Sequence, residues 1–464
     1  MSIKRIEIVR AHINLVSPFR TSFGTEVDRD LLYVHVIGDD EEGWGECVAI
    51  VENNRFGGTC VNVGCVPKKL YYYLSQLNKD IENYKSYGWS IPKPSLNWKL
   101  FIKKKDQEIS RLNKIYEGIL SKNRIDIING TAQFLNSQKI KVGKKTYQAK
   151  KYIISTGGKP RIPNIFKNIK FINTSDDIFS LKKLPKRMVI EGGGYIAIEF
   201  AFIFANLGVK VDLVYRGKQI LKSFDSEIVE FLIQSTPKGK IKYHLETQIE
   251  KVYKSKNDLI INLTNKKKIS SDYILSAIGR IANTENLGLE NTNVQLNENK
   301  SIKVNRHFET NDSNIYAIGD VIDYVNLTPV AIRQGHFLAD KLFNNKKTIE
   351  YDFANIPTAV FTSPQIGTVG LTLEMAKKNK IDAYELTTNF KSMKKTFSKA
   401  NKDTFYKLVI NKKDKTILGI HIISDDAAEL IQILAVNVVA GNSLDEFRKT
   451  VAVHPTSSEE IITI

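Results

Sequence analysis

KRMVIEGGGYIAIEFAFIFANLGVKVDLVYRG, residues 186–217, reads as a strand, a glycine turn, a helix and a second strand. Gly192-Gly193-Gly194-Tyr195-Ile196-Ala197 follows the apolar MVIE and matches G-x-G-x-x-A. Small residues at Gly192, Gly194 and Ala197 let backbone N–H groups approach a pyrophosphate, and the helix N-terminus adds partial positive charge. Alone the motif is weak; its strand–turn–helix–strand setting makes it specific. The second strand ends Val211-Asp212-Leu213-Val214-Tyr215-Arg216, with Lys218 and Lys222 beyond. A site for NAD usually places a carboxylate there for the ribose 2′-hydroxyl. Arg216 and Lys222 suit a 2′-phosphate instead, so the stretch predicts NADPH.

Outward from this unit, apolar strands ending in glycine turns recur. KYIISTGGKP (151–160), SDYILSAIGR (271–280) and NIYAIGD (314–320) are of this kind. After about residue 352 come strands with a return at LGIHII (418–423), a helix, and HPTSSEE (454–460). Strands alternating with helices predict α/β domains with parallel sheets. Residues 3–52 differ. Three alternating stretches, IKRIEIVRAHINL, DLLYVHVIGD and GECVAIVE, predict a β-meander with turns at Gly-Asp-Asp and Gly-Trp-Gly.

A chain of 464 residues has room for three domains, and 42% hydrophobic with 25% charged residues is a globular composition. No apolar run reaches a membrane span, and the charges within MSIKRIEIVRAHINL argue against a signal peptide. The net charge of +18 is spread along the chain, in stretches such as KSKNDLIINLTNKKK (254–268), with no nucleic-acid motif beside it. It reads as a lysine-rich solvated surface, not a nucleic-acid site. Three cysteines, Cys47, Cys60 and Cys65, are too few for a secreted disulfide framework, so a reducing cytoplasm is expected. Cys47 is expected to be a buried structural thiol.

Cys60 and Cys65 stand in CVNVGC at the start of a helical stretch. Thiolates at a helix N-terminus near cations have a lowered pKa and react readily. A metal site would need further ligands, and no His or Cys cluster lies nearby.

GGTCVNVGCVPKK (57–69), STGGKPRIP (155–163), GGGYIAIE (192–199), AIGR (277–280), NIYAIGD, LTPVAI (327–332) and HPTSSEE occur in the order seen in glutathione reductases. Over residues 48–464 the chain therefore resembles that branch of the pyridine nucleotide–disulfide oxidoreductases. The resemblance implies two Rossmann-like dinucleotide-binding domains and an α+β dimerisation domain. An FAD domain would span 48–157 with a return at 283–351, an NADPH domain 158–282, and the dimerisation domain of a homodimer 352–464. It implies a catalytic disulfide of Cys60, which attacks glutathione disulfide, and Cys65, which lies against the flavin. Lys68 or Lys69 would pair with Glu199. Tyr195 would gate the nicotinamide pocket, and Gly279 and Arg280 would line the NADPH site. Glu52, Gly58, Thr59, Thr156, Gly157, Gly319 and Asp320 would contact FAD, and Tyr116 glutathione. His454 and Glu459 would be the acid–base pair reaching across the dimer.

Two departures stand out. His336 replaces the family's glutathione-contacting arginine. Residues 1–47 contain no strand followed by G-x-G-x-x-G, the expected cradle for the FAD pyrophosphate. Residues 1–50 instead resemble the N-terminal capping segment of the enolase superfamily, near o-succinylbenzoate synthases and N-acylamino acid racemases. No enolase-type barrel with metal carboxylates follows, so an enolase-type enzyme is excluded. Lipoamide dehydrogenases fit less well, since they read CIPSK where this chain has CVPKK. Large thioredoxin reductases add a C-terminal redox pair that is absent up to Ile464. Two expectations result: a glutathione-disulfide reductase, or a flavin-deficient NADPH-binding chimera without reductase activity. Loss of the phosphate cradle predicts weak FAD binding.

Overall fold

The computed structural model describes residues 3–21, 24–38, 42–45, 48–92, 94–166, 169, 171–236, 239–256, 258–344, 353–399 and 404–464, the first three stretches by backbone alone. The chain forms two compact units: Met1–Asn62 with Gln107–Gly158 and Ala282–Glu350, and Val63–Asp106 with Lys159–Ile281 and Tyr351–Ile464.

In the first unit, Ile3–Thr21, Gly24–Gly38 and Glu42–Gly45 form an antiparallel sheet in sequence order. The expected third meander strand is corrected. Ile37 pairs with Glu42 and Val34 with Gly45, so Gly43-Trp44-Gly45 is strand, and the reversal falls before it. GECVAIVE does not continue the meander either. Its apolar end, Ala49–Glu52, runs parallel to Asp126–Asn129, with Ile50 opposite Ile127. A short apolar run has no period to distinguish a meander strand from a parallel one.

A second parallel pair joins Tyr152–Ile154 to Ile315–Ala317. Among the described residues no strand joins the two pairs into one sheet. The short helix Gly58–Val63 is fixed by Asn62, whose buried amide nitrogen lies 2.9–3.2 Å from the carbonyls of Arg55, Phe56 and Gly58. Asn113, on the helix Trp98–Lys122, donates to Phe56 O at 2.7 Å and to Asn62 Oδ1 at 2.9 Å. Buried amides are retained where such partners exist.

The second unit contains a five-stranded parallel sheet. Its order is Ile172–Asn173, Tyr273–Ser276, Arg187–Glu191, Lys210–Val214 and Ile241–His244. Alternation along the central strand decides what covers each face. Met188 and Ile190 pack with Phe200 and Phe204 of the helix Tyr195–Asn206. Val189 joins Val214 and Ile274 against Val252, Ile261 and Leu263 of a three-stranded antiparallel meander. Tyr71, on the helix Cys65–Ser86, is fully buried, with its ring centroid 5.0–5.6 Å from those of Trp98, Phe101 and Phe179 in edge-to-face pairs. Each such pair adds about 0.5–1.5 kcal/mol beyond its buried area.

The C-terminal part is a five-stranded antiparallel sheet ordered Thr358–Val360, Gln365–Gly370, Ile417–Ser424, Thr404–Asn411 and Ala383–Phe390. The helix Ala427–Ala440 backs it through Ile431, Ala435 and Val438. Among the described residues no helix is long and apolar enough to cross a membrane, and no His, Cys, Asp or Glu group could hold a metal.

Candidate functional site

The glycine turn begins where Arg187–Glu191 ends. Gly192 has φ +140°, and a Cβ there would lie 2.3 Å from Ala277 O, so only glycine is accommodated. Gly193 packs on the face of the Tyr215 ring, where an added Cβ would be 2.7 Å from ring carbons. Gly194 is the N-cap of the helix Tyr195–Asn206 and offers no capping side chain. The first-turn N–H groups have no intrahelical acceptor, which is the arrangement that binds phosphate. Ala197 is fully buried, and Tyr195 is exposed at the helix start. Arg216 and Lys222 are exposed on the loop after Lys210–Val214, and Leu221 N–H donates to Gly193 O at 2.7 Å. Gly279 has φ +127°, and Arg280 Nη1 lies 3.8 Å from Asp176 Oδ1. Burial pushes the Asp176 carboxyl above its ordinary value, although Arg280 opposes the shift. The turn and the uncapped helix fit the pyrophosphate of a dinucleotide.

Cys65 opens the helix Cys65–Ser86 and is exposed; Cys60 is half-buried within Gly58–Val63, and both are thiols. Cys47 lies outside the described residues. One turn into the longer helix, Lys68 Nζ is 2.9 Å from Glu199 Oε1. Of the two adjacent lysines, Lys68 therefore makes the ion pair. Glu199 is buried and also accepts the Phe361 N–H at 3.0 Å. Lys68 and Lys69 both lie over the Phe361 ring, at 3.8 and 3.9 Å. Burial, with Lys68 beside it, lowers the Lys69 pKa.

His454 Nδ1 is 3.0 Å from Glu459 Oε2, and the imidazole is 80% exposed. A carboxylate on Nδ1 holds the proton there and leaves Nε2 to exchange one. The helix Ala427–Ala440 exposes Ile433, Val436 and Val439, and Val451 and Val453 are exposed as well.

In the first unit, Glu52 ends its strand, and its Oε1 accepts the Asn54 N–H at 2.8 Å. Gly58 and Thr59 begin Gly58–Val63. Thr156 Oγ1 donates to Asn283 O at 2.8 Å, and Gly157 has φ +69°. Gly319, at φ +75°, donates its N–H to Gln334 Oε1 at 2.7 Å, and Asp320 follows in the turn after Ile315–Ala317. His336 lies on the helix Thr328–Ala339, and Tyr116 is exposed on Trp98–Lys122.

Carboxylates at two strand ends suit the hydroxyls of a ribose and a ribityl chain. The FAD pyrophosphate finds no glycine-turn cradle among the described residues of this unit. Ala49–Glu52 leads into Gly58–Val63, only six residues, and Ile315–Ala317 passes through Gly319 and a further loop before the helix Thr328–Ala339, so no parallel strand turns directly from a glycine into a helix as Arg187–Glu191 does.

Sequence reasoning missed Asn62, Tyr215 and Lys407. Asn62 had a signal in its place between the cysteines. Tyr215 had one in the central Gly193, whose missing Cβ leaves room for a ring.

The pyridine nucleotide-disulphide oxidoreductase description matches residues 41–335, and the dimerisation domain of that family matches residues 356–464. A glutathione reductase of Burkholderia cepacia is 38% identical over 422 residues, covering 91% of this chain and 94% of its own. One from a Nostoc species is 37% identical over 435 residues, with the same coverage. Among solved structures, the Cu(II) complex of the HOCl-induced flavoprotein disulfide reductase RclA from Escherichia coli superposes with TM-score 0.80 at 26% identity, covering 90% of this chain and 92% of that one. The chain belongs to the pyridine nucleotide-disulphide oxidoreductase family.

Proposed function

We propose that the chain carries the residues of an NADPH-dependent glutathione-disulfide reductase and holds FAD weakly. The observation that carries the catalytic part is the CVNVGC segment, where the Asn62 amide, between Cys60 and Cys65 in sequence, is held by backbone carbonyls and by Asn113, with Lys68 paired to Glu199 one turn beyond. The similarity to glutathione reductases over nine-tenths of the chain supports the substrate. In this reading residues 48–157 and 283–351 form the FAD domain, 158–282 the NADPH domain and 352–464 the dimerisation domain. The exposed apolar face of Ala427–Ala440 supports a homodimer. A reducing cytoplasm suits two working thiols.

FAD, contacted by Glu52 and Asp320, would supply two-electron transfer between the nicotinamide and the Cys60–Cys65 disulfide. The protein residues account for the thiol chemistry. The Cys60 thiolate attacks one sulfur of glutathione disulfide, forming a mixed disulfide as the S–S bond breaks. His454, oriented by Glu459, protonates the departing glutathione thiolate. The Cys65 thiolate then attacks Cys60 Sγ, releasing the second glutathione and forming the Cys60–Cys65 disulfide. Arg216 and Lys222 hold the 2′-phosphate, with the N–H groups after Gly194 on the pyrophosphate. Tyr195 covers the nicotinamide pocket beside Gly279 and Arg280. Tyr116 and His336 bind glutathione. Glu52, Gly58, Thr59, Thr156, Gly157, Gly319 and Asp320 remain the FAD contacts.

A second reading has its own support. The family match begins at residue 41, and among the described residues the strands of residues 3–45 pair only with one another. We read residues 1–50 as a foreign segment of the enolase-superfamily type, making the chain a flavin-deficient NADPH-binding chimera. Flavin absorbance per purified chain, with NADPH-dependent reduction of glutathione disulfide before and after added FAD, separates the two. A full flavin complement without addition would overturn the weak-binding reading. No reduction at saturating FAD would overturn the reductase.

A further inference from the structure

Lys407 lies on the strand Thr404–Asn411 of the C-terminal sheet and is 2% exposed. A lysine is buried this deeply only with partners, since an unpaired charge in the interior is costly. Its Nζ is 3.0 Å from Asp225 Oδ1, 2.5 Å from Glu227 Oε2 and 3.3 Å from Glu385 Oε2. Burial works against its charge, but hydrogen bonds to Glu227 and Asp225 prevail and raise its pKa. His421 pairs with it on the next strand; it is buried with Nε2 3.0 Å from Leu371 O, and burial lowers its pKa. The three carboxylates thus share Lys407 and draw no cation from His421.

Asp225 is where this cluster meets the nucleotide site. Its Oδ1 caps the helix Ser226–Ser235, accepting from Glu227 N at 3.1 Å and Ile228 N at 3.2 Å. It also ends the loop that began at Tyr215. That loop is fixed at four places. Tyr215 lies on Gly193, Gly217 O accepts the Glu246 N–H at 3.1 Å, Leu221 N–H donates to Gly193 O at 2.7 Å, and Asp225 is held by Lys407. Ile220 and Leu221 are buried between these points, and Leu221 takes φ +50°. Arg216 falls between the first two anchors and Lys222 between the last two.

We propose that Lys407 is a positioning residue for the 2′-phosphate loop, setting Arg216 and Lys222 against the glycine turn from a separate sheet through Asp225. The inference rests on the reading that those cations receive the 2′-phosphate of NADPH. Its effect is on selectivity, since NADH makes no use of the two cations.

The test is titration of the full chain with NADPH and with NADH, for the wild type, Lys407→Met and Asp225→Asn. Asp225→Asn keeps a capping oxygen and its shape, so it remains informative if Lys407→Met does not fold. In Lys407→Met the NADPH Kd is expected to rise at least about tenfold, a 1.4 kcal/mol effect, with NADH changed less than about twofold. Asp225→Asn should move the ratio in the same direction by less. Equal weakening of both nucleotides, or a ratio unchanged in the variants that fold, would make Lys407 merely structural and overturn the proposal. A wild type without preference for NADPH would instead remove the 2′-phosphate reading itself, and this inference with it.

Discussion

The two units handle the same structural problem differently. In the second, five parallel strands are continuous, and the central one, Arg187–Glu191, runs into a glycine turn and a long uncapped helix. In the first, the parallel strands stand as two separate pairs, Ala49–Glu52 with Asp126–Asn129 and Tyr152–Ile154 with Ile315–Ala317. A dinucleotide's phosphates need the turn and the helix dipole that a central strand delivers, whereas its ribose can be met by a single acid at a strand end. The difference teaches that the capacity to bind phosphate belongs to the connection after a strand, not to a sheet as such. Among its described residues the first unit has Glu52 and Asp320 near strand ends and lacks that connection.

Joining the two pairs is the largest change that would break the comparison. Replacing residues 1–47 with a strand–G-x-G-x-x-G–helix segment supplies the missing turn and hydrogen-bond partners for strand edges, each unpaired buried group costing about 1–3 kcal/mol. Flavin content is expected to rise from near zero to about one per chain, as the restored helix N-terminus receives the pyrophosphate. Side-by-side absorbance of the two proteins checks it, and an equal flavin content would show that the first unit never lacked a cradle.

The thiol half of the reaction should be indifferent to that difference between units. With the chain pre-reduced by a chemical reductant, exchange with glutathione disulfide needs no flavin. His454→Ala is expected to slow this single turnover by about 10²–10⁴-fold, the usual contribution of a positioned acid. Rapid-quench measurement of glutathione release gives the rate. An unchanged rate removes His454 from the role.

Where local sequence chemistry decides structure, the sequence was readable. Gly192-Gly193-Gly194 with Ala197 specifies its turn because each small residue answers a contact made nearby. The order of the motifs similarly anticipated the family. Choosing Lys68 over Lys69 was out of reach. Adjacent helical positions point about 100° apart, and which one meets Glu199 depends on how two helices far apart in sequence pack. Lys407 was hidden for the same reason, although a lysine inside TFYKLVIN is itself a signal of a buried partner. The third stretch of the N-terminal meander was misread because three apolar residues, Ala49–Val51, carry no usable period.

A smaller effect tests the well-formed site itself. Arg216→Ala removes one charge-assisted contact to the 2′-phosphate, about 1.5–3 kcal/mol. NADPH binding is expected to weaken by roughly ten- to a hundredfold, while NADH binding stays within about twofold. Calorimetric titration with both nucleotides measures the two losses. If they are equal, Arg216 is an ordinary surface cation.

The smallest effect lies in the unit that is otherwise intact. Glu191 ends the central strand, immediately before Gly192, and pairs with Ser276, whose Oγ donates to Glu191 Oε2 at 3.4 Å. Burial pushes its carboxyl from 4.5 to about 7, and the Ser276 contact only partly offsets this. Below pH 4.5 the group is neutral in folded and unfolded chains alike, so it costs nothing. Between pH 4.5 and 7 the unfolded chain releases a proton that the folded chain retains, and stability falls as pH rises. Above pH 7 the penalty is complete, at most about 3 kcal/mol. Glu191→Gln keeps the shape without the charge, yet still buries an amide, so a net gain of about 1–2 kcal/mol is expected at alkaline pH. At acidic pH the gain should vanish. Urea denaturation of both proteins at pH 5 and pH 8.5 measures this directly, because only a titrating carboxyl makes the benefit depend on pH. A gain of equal size at both values, or none at the higher one, would mean that the carboxylate is solvated behind the turn. The second unit would then carry no electrostatic strain at the strand end that positions its glycines.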